Sequence, residues 1–279
     1  MTGQGPDPDR NATPSHQAAM RKVLFMSDGS DIAVLCAQAV ARRPIDVLAV
    51  VVGPNVTAAD AGTILGCFDR PPPLIQTARP DLDPQIVAWA EAGQIDLLLS
   101  IFFEYRVRPF LLNTAKLGGI NIHPSALPHN GGFHSSFWGI VEQTPLGATF
   151  MWMDEGLDTG GVIAQKTFAD DGIMTANEAR TRQRQMCADL FEENIDRLVA
   201  GDVPWTAGQP CSYHAKKDII AATTFSEDDQ ITMGRLMRLG RATAHGENGL
   251  TVRSSNGEQF RMQITLSRLP AKPPGSGEG

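Results

Sequence analysis

The sequence predicts an α/β fold: a mostly parallel β-sheet flanked by helices, followed by a small C-terminal domain that contains a β-hairpin. Three features of the 279-residue chain support this prediction. Short, continuously apolar runs recur along most of its length, stretches with helical periodicity separate them, and two segments near the C-terminus alternate apolar and polar residues. Continuously apolar strands joined by helices are typical of buried parallel sheets, whereas alternation is typical of strands with one face in water.

Strands and helices alternate through the first half of the chain. Residues 22–27 form an apolar run that Asp28 and Gly29 close, and residues 30–43 show helical spacing that ends before Pro44. The other elements expected here are strands at 46–52, 95–101 and 119–123, and helices at 83–93 and 108–117. Ligands of such sheets bind beyond the carboxyl ends of the strands, so functional residues are expected there.

The second half of the sequence predicts further helices and strands, and with them a division of the chain into two domains. Its elements are a helix at 134–143, strands at 148–153 and 162–168, a helix at 177–200, a linker at 205–210, a helix at 228–239, and strands at 249–253 and 259–265. The last two strands flank Asn256-Gly257, a strong hairpin signal. We therefore expect a disordered N-terminal extension at 1–20, a main domain at 21–204, a small α+β domain at 205–269 and a disordered tail at 270–279.

Composition and charge argue against several classes of protein. The net charge of -7 and the pI near 5.4 provide no cationic footprint for nucleic acid. The four cysteines are scattered, with no C-x-x-C pair and no zinc-binding spacing. No apolar run approaches the ~18–20 residues of a membrane span, and the N-terminus has no secretion signal. We therefore expect a cytoplasmic protein without a metal, a nucleic-acid partner or a membrane partner.

Asn121 and His123 end one of the predicted strands, and Pro124 follows them directly. Side chains two residues apart on a strand lie on the same face, so the amide and the imidazole are predicted to point in one direction. Taken alone, a strand-end Asn and His are more often structural than catalytic.

A glycine-rich loop follows at 154–161, with Asp158 near its centre. A turn between two strands explains the glycines of this loop but does not explain its pairing with an Asn-x-His strand end. A carboxylate beside a histidine orients the ring and stabilises its protonated form.

Three segments together resemble the signature of the N10-formyltetrahydrofolate-dependent formyltransferases: Asn121-Ile-His-Pro-Ser-Ala-Leu-Pro128, Gly147-Ala-Thr149 and Asp154-Glu-Gly-Leu-Asp-Thr-Gly160. This family acts on glycinamide ribonucleotide, methionyl-tRNA and sugar nucleotides. The resemblance implies a Rossmann-like formyltransferase domain and N10-formyltetrahydrofolate as co-substrate, without a metal. It also implies a catalytic triad of Asn121, His123 and Asp158, in which Asn121 and His123 donate to the developing oxyanion and His123 and Asp158 move protons.

The same resemblance assigns a folate site on both sides of the triad. By position, the resemblance implies that Phe103 and Tyr105 form one wall of the pterin site. It also implies that backbone groups of Glu104 and Arg106 bind the edge of the pterin. The loop at Gly156, Leu157 and Asp158 is expected to close the other side. An aromatic loop that only anchors the core is the alternative for the residues around Phe103.

The C-terminal region is similar to one branch of the family. Ser212-Tyr-His-Ala-Lys-Lys-Asp218 resembles the Y-H-x-K-K-D stretch of bacterial sugar N-formyltransferases, and Arg235-Leu-Met-Arg-Leu-Gly-Arg241 resembles their following helix. Tyr213 and Lys216, with His214 and Lys217, are candidates to reach a nucleotide-sugar phosphate. A solvated basic surface is the alternative.

Ser125, Asn130 and His134 are the other expected acceptor contacts, although a surface position is an alternative for His134. The loop at 129–136 departs from the family, because Gly131 stands where an Arg is usual.

The leading functional interpretation is formyl transfer to a small-molecule amine, with a nucleotide-linked amino sugar as the favoured acceptor. Residues 211–279 hold nine Lys and Arg against seven Asp and Glu, which is only mildly basic and weakens a methionyl-tRNA interpretation. Another amine acceptor, hydrolysis of formyl-folate and a catalytically silent binding module remain as alternatives. The apolar C-terminal unit would also suit a homodimer contact.

Overall fold

A computed structural model describes residues 20–244 and 249–267. The strands are Arg21–Ser27 (β1), Ile45–Val52 (β2), Leu74–Gln76 (β3), Leu97–Ile101 (β4), Gly119–His123 (β5), Gly131–Gly132 (β6), Leu146–Trp152 (β7), Val162–Phe168 (β8), Tyr213–His214 (β9), Thr224–Ser226 (β10), Leu250–Arg253 (β11) and Gln259–Met262 (β12). The α-helices are Asp31–Ala41 (α1), Ala58–Leu65 (α2), Pro84–Glu91 (α3), Pro109–Thr114 (α4), Ser135–Glu142 (α5), Ala176–Ala200 (α6), Asp218–Ala222 (α7) and Met233–Thr243 (α8).

Seven strands form the central sheet in the order β3-β2-β1-β4-β5-β7-β8. The first five strands of this order run parallel, and β7 and β8 continue the sheet as antiparallel strands. The predicted α/β fold with a mostly parallel sheet is therefore confirmed. In this order the carboxyl ends of β1, β4 and β5 lie side by side.

Both faces of the sheet are buried, because the side chains of each strand alternate between two helical layers. Val23 and Phe25 pack with residues of α1 and α6, whereas Leu24 and Met26 pack with residues of α3 and α4. This alternation explains why the strands are continuously apolar in the sequence.

A second sheet, of order β10-β11-β12, holds the predicted C-terminal hairpin, in which β11 and β12 pair in antiparallel register around Gly257. Leu239 of α8 and Leu250 of β11 share a buried cluster with Phe137 and Leu146. Among the described residues no helix is long and apolar enough to cross a membrane.

Several elements differ from the sequence predictions. Helix α8 begins at Met233 rather than at residue 228, because the Thr232 side chain caps it by accepting from the Arg235 N–H. Helix α2 and strand β3 were not predicted; β3 is an edge strand of the sheet, and most residues of α2 are exposed. Except for Met20, the extension expected at 1–20 lies outside the described residues, and so does the tail expected at 270–279.

Candidate active site

The three predicted catalytic side chains meet at one cavity of about 600 Å³ beyond the carboxyl ends of β4 and β5. Asn121, His123 and Asp158 all line it. The first two belong to β5, and Asp158 belongs to the loop between β7 and β8. The sheet order therefore brings together residues that are 35 positions apart in the sequence.

Asn121 is held by its neighbour across the sheet. Ser100 pairs with it in the parallel ladder between β4 and β5, and the Ser100 hydroxyl donates to the Asn121 side-chain oxygen at 3.1 Å. The Asn121 amide nitrogen donates to no other described residue. Because its oxygen is occupied, the amide can present N–H groups to the cavity.

His123 is buried, and its two ring nitrogens have different surroundings. Nδ1 lies 3.6 Å from Asp158 Oδ1, which is within ion-pair reach but longer than an ordinary hydrogen bond. Nε2 is buried and has no hydrogen-bond partner among the described groups. A buried polar nitrogen without a partner is costly and is a feature of functional sites.

Asp158 is fixed by a backbone contact and by its own conformation. The Gly132 N–H donates to Asp158 Oδ2 at 2.7 Å, which leaves Oδ1 facing His123. Its φ of 56° lies in the left-handed region, which Asp tolerates better than most residues.

The chain after His123 is anchored to two helices. The Pro124 carbonyl accepts from Gln183 Nε2 of α6 and from Ser135 Oγ of α5, both at 2.6 Å. Gln183 is 1% exposed, so its amide is a buried anchor. These bonds set the direction in which β5 ends.

The aromatic loop at 102–107 forms a second wall. The rings of Phe103 and Tyr105 lie 5.5 Å apart, and Phe103 packs into the buried cluster beneath the sheet. Tyr105 covers Gly53, where a Cβ would lie 2.6 Å from the ring. The backbone N–H groups of Glu104 and Arg106 donate to no other described residue.

The loop that contains Asp158 forms a third part of the cavity lining. Asp154 shapes it by accepting from the Gly156 N–H at 2.9 Å and from the Thr159 hydroxyl at 2.8 Å. Gly156 and Leu157 line the cavity. The Arg106 guanidinium donates to the Glu155 carbonyl and so bridges the two loops.

Polar and cationic groups line the remaining side. His134, Tyr213 and Lys216 are among the lining residues, and Arg180 of α6 joins them. Burial lowers the pKa of His134, and the positive charges of Lys216 and Arg180 lower it further. No ion pair with a described acid neutralises Lys216 or Arg180.

Four expected acceptor contacts are not among the residues that line the cavity, and their role stays a prediction. Ser125 is 2% exposed, beneath the lining, and Asn130 is 1% exposed with its amide 2.6 Å from the Thr144 hydroxyl. His214 faces away from the cavity because its ring stacks on Trp138. Lys217 does not line the cavity and lies at the N-terminus of α7.

The structure adds residues that sequence reasoning missed. Asp28, Ser100, Arg180 and Gln183 line the cavity. Asp28 follows β1 directly, so the rule of strand ends would have found it. Burial raises its pKa, although hydrogen bonds to Ser30 and the charge of Arg184 oppose that effect.

The described residues include no group of three or more His, Cys, Asp or Glu side chains that could hold a metal ion. Asn121, His123 and Asp158 present an amide, an imidazole and a carboxylate to the cavity. This set can stabilise charge on a carbonyl oxygen and move protons.

Known proteins of similar sequence share part of the chain. Methionyl-tRNA formyltransferase of Synechococcus sp. (strain JA-3-3Ab) is 33% identical over 132 residues, which are 47% of this chain and 41% of that protein. GDP-perosamine N-formyltransferase of Brucella melitensis is 30% identical over 123 residues, which are 44% of this chain and 48% of that protein. The chain thus spans less than half the length of these two relatives.

Solved structures resemble more of the chain. A sugar N-formyltransferase from Shewanella sp. FDAARGOS_354 has a TM-score of 0.73 at 21% identity and covers 90% of this chain and 100% of its own. An N-formyltransferase from Helicobacter canadensis has a TM-score of 0.59 at 21% identity and covers 80% of each chain. At this level of identity the likeness shows a shared fold.

The family model described as formyl transferase matches residues 20–190, which include every strand and loop that carries the triad. The matched region is more than half of the chain. This protein therefore belongs to the formyltransferase family.

Proposed function

We propose that this protein transfers a formyl group from N10-formyltetrahydrofolate to the primary amine of a nucleotide-linked amino sugar. The observation that carries the proposal is the convergence of Asn121, His123 and Asp158 on one cavity, in a chain of the formyltransferase family. The methionyl-tRNA and GDP-perosamine formyltransferases that resemble this chain share only part of their length with it. The activity is therefore inferred from the site itself.

Asn121 and His123 supply the electrostatic part of the reaction. As the acceptor nitrogen attacks the formyl carbon, negative charge develops on the formyl oxygen. The Asn121 amide, oriented by Ser100, and the unpartnered Nε2 of His123 are the donors placed to meet it. One such donor is commonly worth ~3–4 kcal/mol in the transition state.

Asp158 supports the proton balance. The bond between the formyl carbon and the folate N10 breaks, the acceptor nitrogen loses a proton and N10 gains one. A carboxylate 3.6 Å from Nδ1 stabilises the imidazolium that forms when His123 takes a proton. Contacts of this kind often tighten when substrate binds.

The two loops of the cavity fit a pterin. Phe103 and Tyr105 offer aromatic surface, and the unpaired N–H groups of Glu104 and Arg106 can bind a heteroaromatic edge. Gly156 and Leu157 line the same cavity. Backbone N–H groups without a protein partner are free to donate to a ligand that supplies acceptors.

The acceptor side fits an anion. Lys216 and Arg180 are unneutralised cations in a protein whose net charge is -7, and Tyr213 adds a hydroxyl beside them. Such a group of cations matches a diphosphate. Two related proteins agree with this choice: the Brucella relative is a GDP-perosamine N-formyltransferase, and the Helicobacter structure was solved with folinic acid and dTDP-3-aminofucose.

Methionyl-tRNA is the second candidate acceptor, because the Synechococcus relative is a methionyl-tRNA formyltransferase. The near-balanced charge of residues 211–279 argues against a large tRNA surface.

A formyl-transfer assay tests the proposal. Purified protein and N10-formyltetrahydrofolate are mixed with dTDP-3-aminofucose, GDP-perosamine, glycinamide ribonucleotide, methionyl-tRNA or no acceptor, and products are read by the mass gain of one formyl group. We expect transfer to a sugar nucleotide and a rise in melting temperature with the folate. Transfer only to methionyl-tRNA would replace the acceptor, folate breakdown without an acceptor would indicate hydrolysis, and no folate-induced shift would refute the co-substrate.

A further inference from the structure

Residues 211–214, which follow the triad in the sequence, complete the wall of the cavity around Asp158. Strand β9 pairs in parallel with the two-residue strand β6, so that the Gly131 N–H donates to the Ser212 carbonyl at 2.8 Å. The Phe133 N–H donates to the His214 carbonyl at 2.9 Å. The chain at 211–214 is therefore docked along the whole length of β6.

His214 anchors this docked segment. Its ring stacks on the Trp138 indole with centroids 3.8 Å apart and planes 6° from parallel. The His214 Nε2 lies 3.2 Å from Glu142 Oε1. When the side-chain amide of Asn130 is oriented with its nitrogen towards the same carboxylate, it donates to Glu142 Oε2 at 3.1 Å. Trp138 is 8% exposed, so the stack is part of the interior. The neighbouring Tyr213, by contrast, lines the cavity.

The same short strand holds the catalytic carboxylate. Gly132, which pairs with His214, donates its N–H to Asp158 Oδ2 at 2.7 Å. The fit is tight, because a Cβ on Gly132 would lie 2.4 Å from the His214 carbonyl oxygen. A displacement of β9 must therefore move β6, and β6 carries the donor that fixes Asp158.

We propose that His214 is a positioning residue: by docking β9 against Trp138 and Glu142, it holds β6 in the place from which the Gly132 N–H orients Asp158 towards His123. The inference rests on the proposed function and extends it to a residue outside the region that the family model matches. It also assigns the segment after residue 204 a part in the catalytic step as well as in acceptor binding.

Cys211 offers a readout that does not depend on activity. Its thiol lies within 3.8 Å of the Leu157 carbonyl, and a Cβ on Gly131 would lie 2.7 Å from it. Burial raises the pKa of this thiol, and the Asp158 carboxylate raises it further. Undocking of β9 removes both effects, so the thiol becomes more reactive.

The test compares His214→Ala with His214→Phe, which keeps a ring on Trp138, in a Cys67→Ser background; Cys36 and Cys187 are buried. Ile220→Ala, at a position 64% exposed on α7, is the control. Two quantities are measured: the alkylation rate of Cys211 by iodoacetamide, located by mass spectrometry, and kcat and KM for formyl transfer.

For His214→Ala we expect Cys211 to be alkylated about tenfold faster and kcat to fall about tenfold at unchanged KM for the folate. We expect Ile220→Ala to match wild type in both quantities, and His214→Phe to change each by less than about threefold. If His214→Ala does not fold, Glu142→Gln replaces it, with both changes expected at about threefold.

Unchanged alkylation of Cys211 would overturn the anchoring role. Faster alkylation with an unchanged kcat would overturn the link to Asp158. Wild-type protein that transfers no formyl group would refute the proposed function instead, and the alkylation rates would still report whether His214 docks the segment.

Discussion

The Ser100 hydroxyl donates to the side-chain oxygen of Asn121 at 3.1 Å, across adjacent strands of the sheet. This bond decides which end of the amide faces the cavity, where the proposed formyl group would bind. A carbonyl oxygen turned towards the cavity would repel the developing oxyanion, whereas an N–H group stabilises it.

Replacement of Ser100 by Ala is expected to lower kcat about tenfold, or about 1.4 kcal/mol, at nearly unchanged KM for both substrates. The reason is that Asn121 loses the partner that orients it, while none of the proposed substrate-binding residues is changed. Steady-state kinetics check this, with Ser136→Ala, another serine of the same cavity, as control. A wild-type kcat in Ser100→Ala would contradict the orienting role.

The cations of the acceptor side should act on binding. We expect Lys216→Ala and Arg180→Ala each to raise KM for the nucleotide sugar about tenfold and to leave KM for the folate unchanged, since the proposal assigns both charges to the acceptor and neither to the folate. The matched control is Arg235→Ala, an exposed cation on α8 outside this cavity. An equal rise in KM for the folate would show that the cations do not select the acceptor.

The NMR titration midpoint of His134 should depend on the charges of Lys216 and Arg180. Burial, followed by Lys216 and Arg180, lowers its pKa, so its titration midpoint is expected below the usual 6.5. Lys216→Met and added pyrophosphate should each raise that midpoint, because each reduces positive charge beside the ring. A midpoint that neither treatment moves would remove His134 from the anion site.

The lowered pKa of His134 also determines how its contribution to the free energy of unfolding changes with pH. Below the usual pKa the unfolded chain binds a proton at His134 that the folded chain resists, so the contribution of this residue to stability rises with pH up to about 6.5. Unfolding of His134→Gln should therefore depend less on pH in this window than unfolding of the wild type. Identical slopes would argue against a lowered pKa.

Gly131 and Cys211 should be coupled in stability. A Cβ at position 131 would lie 2.7 Å from the Cys211 sulfur, so Gly131→Ala is expected to cost about 1–3 kcal/mol of unfolding free energy. Removing the sulfur by Cys211→Ala should recover part of that loss. Urea unfolding of both single variants and the double variant measures the coupling, expected to exceed about 0.5 kcal/mol. Strictly additive losses would contradict the contact.

The parallel core of this fold could be predicted because its strands are buried on both faces. Strands β1, β4 and β5 lie within two residues of the bounds that continuous apolar runs predicted. Strand β3 could not be predicted in this way, since its three residues lie at the sheet edge with an exposed-intermediate-exposed pattern. Helix α2 is short and mostly exposed, so it carries little periodic signal.

The candidate site divides in a similar manner. The strand-end rule and the family resemblance together predicted that Asn121, His123 and Asp158 lie at one site, and all three line one cavity. Spacing alone could not show that Asn130 is buried against Thr144, or that His214 turns away to stack on Trp138. The placement of His214 depends on the pairing of two glycines with a segment about 80 residues later, which has no local signature in the sequence.

The central claim is that Asn121, His123 and Asp158 act together on one formyl carbon. The most direct measurement is the formyl-transfer rate of Asn121→Ala and His123→Ala with both substrates saturating, alongside the melting-temperature shift that the folate induces. We predict a loss of about two to three powers of ten in rate while the shift is retained. Either variant working at the wild-type rate would contradict the account.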